Sequence, residues 1–202
     1  MNRLYEAQYE PGSTRNVILW SAAINNGSVN PNSTFSNANG INVDDVEIND
    51  WSINEGISTG RTMSFAQGFS YSSNVVMTML EQEMGDKVWS NYLSLFKFGL
   101  PTRFGMFGES SGVVSRNSVN IAQSSFGQGI SVTQVQMLRA FTAISNNGIM
   151  LEPQFIKQVA DVNQGTARTA KKEVIGKPVS KQAASETRNY MISVGTDPEF
   201  GT

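Results

Sequence analysis

Two clusters of hydroxyl and amide side chains in this chain could do chemistry. Ser13 opens a helical segment in Pro11-Gly12-Ser13-Thr14-Arg15-Asn16, and Ser72-Ser73-Asn74 opens another further along. The chemistry open to them is nucleophilic. Backbone N–H groups at a helix start are unpaired and partly positive, so they can stabilise an oxyanion or acidify a nearby hydroxyl. A serine there still needs a proton acceptor. The chain has no histidine and no cysteine, which removes Ser-His-Asp arrangements, thiol nucleophiles and the commonest metal ligands. The acceptor must then be Lys, Asp, Glu or a water held by them. One turn along the same face a desolvated, neutral lysine could accept the serine proton, but that position is Asn16. An amide has no useful basicity, and Arg15, one place off, stays protonated. The plain alternative is that Ser13 caps a helix, that Ser72 and Ser73 do the same, and that Asn74 is a solvated first-turn residue.

The composition allows one ordinary domain: 202 residues, 39% hydrophobic and 16% charged, with a net charge of −2 and no long run of either sign. Nothing resembles the clustered basic face of a nucleic-acid binder. No apolar run approaches a membrane span, and the start, Met1-Asn2-Arg3-Leu4-Tyr5-Glu6, lacks the apolar core of a secretory signal. Taken by itself, the chain has no visible route out of the cytoplasm. The absence of cysteine suits an exported protein, although chance accounts for it nearly as well.

The elements that must position the two clusters are mostly helical. A helix is expected over 13–26, with Val17, Trp20, Ala23 and Ile24 on its buried face and Gly27 as its stop. Residues 28–62, rich in Asn, Ser, Gly and Asp, read as a long surface excursion with one or two short strands. Helices follow over 72–84 and from Asp86, as its cap, towards a stop at Gly99 and Pro101. Residues 104–130 read as irregular. Ser131-Val132-Thr133-Gln134 fits a capping box for a helix ended by Gly148. Residues 149–159 read as a strand pair or extended segment broken at Pro153, 161–176 as a polar loop, and 180–194 as a last helix.

Several runs together carry a resemblance. Tyr9 to Thr14, Ser72-Ser73-Asn74-Val75 and Ser124 to Gln134 are its core. Arg61-Thr62-Met63, Phe98-Gly99 with Pro101 to Gly105, and Val194 to Pro198 extend it along nearly the whole chain. The sequence resembles the transpeptidase domain of class B penicillin-binding proteins. That resemblance implies an α/β (α+β) fold of the penicillin-binding-protein and β-lactamase type, of which residues 1–202 cover mainly the helical part with an incomplete sheet. It also implies a serine D,D-transpeptidase that cross-links peptidoglycan through an acyl-enzyme and is acylated by β-lactams. In that reading Ser13 is the nucleophile, Ser72 helps move the proton, and Asn74 binds the substrate backbone. Trp51, Phe126 and Gln128 border the cleft, although for Trp51 a half-buried packing role fits as well. No cofactor or metal is implied. The implied partners are the D-Ala-D-Ala stem peptide, β-lactam antibiotics and, through a membrane-anchored parent protein with this domain outside the membrane, cell-division proteins.

The pattern is broken in two places. The family motif S-x-x-K ends here in Asn16, and the third motif, K-[ST]-G, does not occur; by family order it is expected beyond Thr202, and strands are expected before the nucleophile. Both breaks imply a chain inactive on its own. A non-catalytic scaffold module in cell division is the reading from another class, favoured by Asn16. A β-lactamase or β-lactam sensor shares the fold, but Gly127 to Gln134 speaks for the transpeptidase side.

Overall fold

A computed structural model describes residues 1–161 and 163–202. The segment read as one helix from Ser13 is two joined pieces, a 3-10 turn over Gly12–Arg15 followed by α1 over Asn16–Asn26. Gly27 ends it as expected: at φ 75° it adopts the left-handed conformation that glycine reaches without cost, and its N–H returns to Ala23 and Ile24. The expected one-sided apolar face is wrong. Ile18, Leu19, Trp20, Ser21, Ala22 and Ala23 are all buried, whereas Val17 and Ile24 are only partly so. A helix apolar on every side is a core element.

Between α1 and the second cluster lie three short strands, β1 (Thr34–Ser36), β2 (Ile41–Val43) and β3 (Val46–Ile48), then α2 (Trp51–Asn54), β4 (Thr62–Ser64) and α3 (Phe65–Ser70). β2 pairs with β3 as a hairpin and β1 with β4 across the excursion. Phe35 and Met63 face each other there and are buried, which ties the excursion to the core. α3 was not expected. It is announced by a capping box, with the Gln67 N–H donating to Ser64 Oγ and the Ser64 N–H to Gln67 Oε1.

α4 (Asn74–Met84) and α5 (Asp86–Leu95) form the expected pair, but Gly85 rather than Asp86 is the cap between them. The stretch read as irregular contains β5 (Val113–Val114), α6 (Ser118–Ser124) and the start of β6 (Ile130–Ser131), which pairs with β5. The capping box sits two residues later than the sequence implied: Thr133 and Gln136 form it, and Ser131 lies in β6 instead. α7 (Gln134–Ser145) follows. β7 (Met150–Leu151) pairs with β10 (Val174–Gly176), so 149–159 is not a strand pair in itself. The polar segment expected to be a loop carries part of a hairpin, β8 (Gln158–Asp161) with β9 (Thr166–Thr169), before α8 (Lys181–Thr196).

Helices and short strands are thus mixed, as expected, and among the described residues no sheet is wider than two strands. α1 is the hub, in contact with α4, α5, α7 and α8. Trp20 stacks on Phe69 at 4.8 Å and meets Tyr190 edge-on at 5.3 Å. Among the described residues no helix is long and apolar enough to cross a membrane.

Candidate functional site

The hub position of α1 brings the two clusters together. Asn16, at its first turn, is 3% exposed, and its Nδ2 donates to Ser72 Oγ at 3.3 Å. Ser13 and Thr14 remain exposed on the 3-10 turn. Ser13 is not a cap: the capping position is Pro11, and no side chain caps the turn. The Ser13 hydroxyl is therefore free for other work. The turn is pinned from two sides. Tyr9 pairs with Val132 as an antiparallel bridge, and the Gly12 N–H donates to Gly127 O at 3.0 Å. Gly127, at φ 85°, is needed there, because a Cβ would lie 2.1 Å from Gly12 O.

The second cluster is a strained corner. Ser72 has φ 58°, a left-handed conformation that costs a non-glycine residue of order 1–3 kcal/mol and persists only where its surroundings impose it. The agent is Asp50, a residue the sequence reading left out. Asp50 is fully buried; its Oδ1 accepts from Ser73 Oγ at 2.9 Å and from the Val75 N–H at 3.0 Å, and its Oδ2 accepts from Asn37 Nδ2. Ser73 is the true cap of α4, receiving the Val76 N–H. Ser72, just before the cap, is left half-buried with its hydroxyl against Asn16, and Asn74 Nδ2 donates to Asn49 O at 3.1 Å. No local signal marks Asp50: it lies 23 residues before Ser73, and only the fold brings it to that helix start to accept its free N–H groups.

Of the expected rim residues, Trp51 is 38% exposed, tilted against Tyr71 at 5.6 Å, with its Nε1 donating to Tyr71 O. Gln128 is exposed at the turn that holds Gly12. Phe126 corrects the expectation: it is 4% exposed and belongs to the core, because the chain turns inward there before Gly127 meets Gly12.

Two neighbouring residues do not suit their surroundings. Arg15 is fully buried, its guanidinium 3.8 Å from the Phe98 ring centroid and 5.2 Å from that of Trp89. Among the described residues none of its three nitrogens has a hydrogen-bond partner, and burial pushes it down to about 9. Asn16 Oδ1 is likewise buried without a donor. Buried polar atoms are nearly always paired.

The fold is that of a penicillin-binding-protein transpeptidase domain. The family described as the penicillin-binding protein transpeptidase domain matches residues 1–201, and the chain belongs to it. Within the class the motif runs point to the 2x type of Gram-positive cocci. The crystal structure of penicillin-binding protein 2X from Streptococcus thermophilus is 90% identical, with a TM-score of 0.98 over 100% of this chain and 29% of that one. Penicillin-binding protein PbpB of Mycolicibacterium smegmatis is 29% identical over 96% of this chain, which spans only 30% of that protein's length. Penicillin-binding protein 3 from Mycobacterium tuberculosis, solved with ampicillin, is 28% identical with a TM-score of 0.86, covering 98% of this chain and 44% of that one.

Proposed function

We propose that these residues are the nucleophile-bearing part of a peptidoglycan D,D-transpeptidase, in a form that has lost its proton acceptor. The Asn16–Ser72 contact carries the reading. It joins the first helix to the Ser-x-Asn corner beside an exposed serine, the arrangement needed to attack a carbonyl and pass a proton along. In the reaction, Ser13 Oγ attacks the carbonyl between the two D-alanines of a stem peptide. In a form with a lysine at position 16, that lysine would take the proton and pass it through Ser72 to the amine of the departing D-alanine, after which an amine of a neighbouring strand would take the acyl group. β-Lactams enter by the same attack and stall as the acyl-enzyme. Asn74 and the rim of Trp51 and Gln128 hold the substrate backbone. The parent protein is anchored in the membrane with this domain outside it, among cell-division proteins.

Asn16 donates to Ser72 where an acceptor is needed, so the geometry of the relay survives without its basicity. Loss of a general base costs roughly 10²–10⁴-fold in rate. The third motif is also not among these residues. The test is incubation with a fluorescent penicillin followed by intact mass, on the native sequence and on Asn16→Lys. We expect no stoichiometric adduct on the native sequence and a Ser13 adduct on Asn16→Lys. Full labelling of the native sequence at Ser13 would refute the loss of the acceptor. No labelling of either would make the third motif the dominant defect.

A further inference from the structure

One buried carboxyl stands outside the site described above. Glu81, in the last turn of α4, is 1% exposed, and its Oε1 has no hydrogen-bond partner among the described residues. Of the elements packed on α4, α1, α3, α6 and β2 carry no charged side chain at all. α5 offers Asp86, Lys87 and Tyr92; Lys87 is exposed, and the Tyr92 hydroxyl already accepts from Asn25 Nδ2. Glu83, also on α4, is exposed. Among the described residues no ion pair includes Glu81. What does reach its carboxyl, within hydrogen-bonding distance, is the side chain of Asp86. Two carboxyl groups can hydrogen-bond only when one of them holds a proton. The helix termini decide which. Asp86 sits in the first turn of α5, where the positive end of the helix favours a charged carboxylate. Glu81 sits by the negative end of α4 and is buried, so both its position and its desolvation disfavour charge.

We propose that the α4–α5 junction is a proton-operated lock, in which neutral Glu81 donates its O–H to Asp86 and ionised Glu81 loosens the two helices. Burial first, then the charge of Asp86 and its hydrogen bond, hold the Glu81 carboxyl up at about 7. The sign follows. Between the ordinary value of 4.5 and about 7, the folded chain keeps a proton that the unfolded chain has released. Stability from this group is therefore full below that window, is lost as pH rises through it, and levels off above about 7. The junction turns on Gly85, at φ 82°, whose N–H returns to Glu81 O and whose O receives the Val88 and Trp89 N–H groups. The two helices it joins reach the site, since α4 starts at the Ser73 cap and Asn74, and Trp89 of α5 lies against Arg15. The lock itself is independent of acylation at Ser13.

The test is carbon NMR of the glutamate carboxyls in the whole chain, with urea unfolding at about pH 5 and about pH 8. The Glu81 signal, identified by its loss in Glu81→Gln, should titrate with a midpoint of about 7. Between the two pH values the folding constant of the native chain should fall roughly tenfold to a hundredfold more than that of Glu81→Gln. Amide exchange at Val88 and Trp89, corrected for its intrinsic pH dependence, should quicken above about pH 7 in the native chain and not in Glu81→Gln. Asp86→Asn, an exposed substitution that keeps the packing, serves as a second variant. It should lower the Glu81 midpoint without returning it to 4.5, because burial is the larger cause. A Glu81 midpoint in the ordinary carboxylate range, the same pH dependence of unfolding in the native chain and Glu81→Gln, or amide exchange indifferent to pH would each overturn the proposal.

Discussion

Arg15 is a fully buried charge with no hydrogen-bond partner among the described residues. Its guanidinium lies between aromatic rings without an acceptor, and exchanging unfavourably buried charge for apolar side chains of similar volume can gain 1–4 kcal/mol. Arg15→Met, which keeps length and adaptability, should therefore stabilise the chain by roughly 1–4 kcal/mol in urea unfolding. The pH dependence has a definite sign. The folded Arg15 sheds its proton near pH 9, well before the unfolded chain does, so between those values the unfolded state holds one more proton and stability rises with pH. The Met variant's advantage should be constant below about pH 9 and shrink above it. Asp50 is the opposite case, a buried charge that is fully answered. Asp50→Ala would leave Ser73 Oγ, Asn37 Nδ2 and the Val75 N–H without their acceptor. We expect a loss of roughly 3 kcal/mol or more in chemical denaturation.

At the scale of elements, the site depends on two turns meeting back to back, Gly12 on one and Gly127 on the other. Gly127→Ala would place a methyl group on Gly12 O and force a left-handed alanine, so it should cost at least about 1–3 kcal/mol in thermal unfolding. It should also abolish penicillin labelling in an Asn16→Lys background, even below the melting midpoint. How much of this was legible in the sequence varies with the physics. Ser13, Ser72 and Asn74 could be placed at or next to element starts because helix starts are local signals. Gly27 and Gly148 were found as stops for the same reason; Gly148 takes φ 85° after α7. The all-round burial of α1 was not legible, because Ser21 and Asn16 sit among apolar neighbours and blur any stripe. Phe126 was misplaced because a hydrophobic residue inside a motif reads as rim or core equally well until the turn at Gly127 is known. The Thr133 capping box was missed by two residues, since Ser131 offers the same spacing to Gln134 that Thr133 offers to Gln136. β8 and β9 were missed because their residues are polar and exposed on both faces, so no alternation marks them.

For the molecule as a whole, stability is concentrated around α1 and thins outward. The β8–β9 hairpin is exposed at every described strand position, and a lone two-stranded hairpin contributes little by itself. Replacing residues 158–169 by a two-residue turn should change the unfolding free energy by less than about 1 kcal/mol, as measured in urea, because no core contact is lost. The reverse holds at the centre, where Ile18, Leu19, Trp20, Ala22 and Ala23 have no exposed surface at all. The turn carrying Ser13 and Thr14 reaches solvent at the start of the hub, as Asn25 and Asn26 do at its other end. Folding therefore places no demand on the side chain at position 13: alanine, glycine or aspartate would sit there without disturbing a single packed neighbour. A hydroxyl standing where architecture is indifferent can be exchanged at will, so any effect of replacing it on acylation reports its chemistry alone, unmixed with a change in stability.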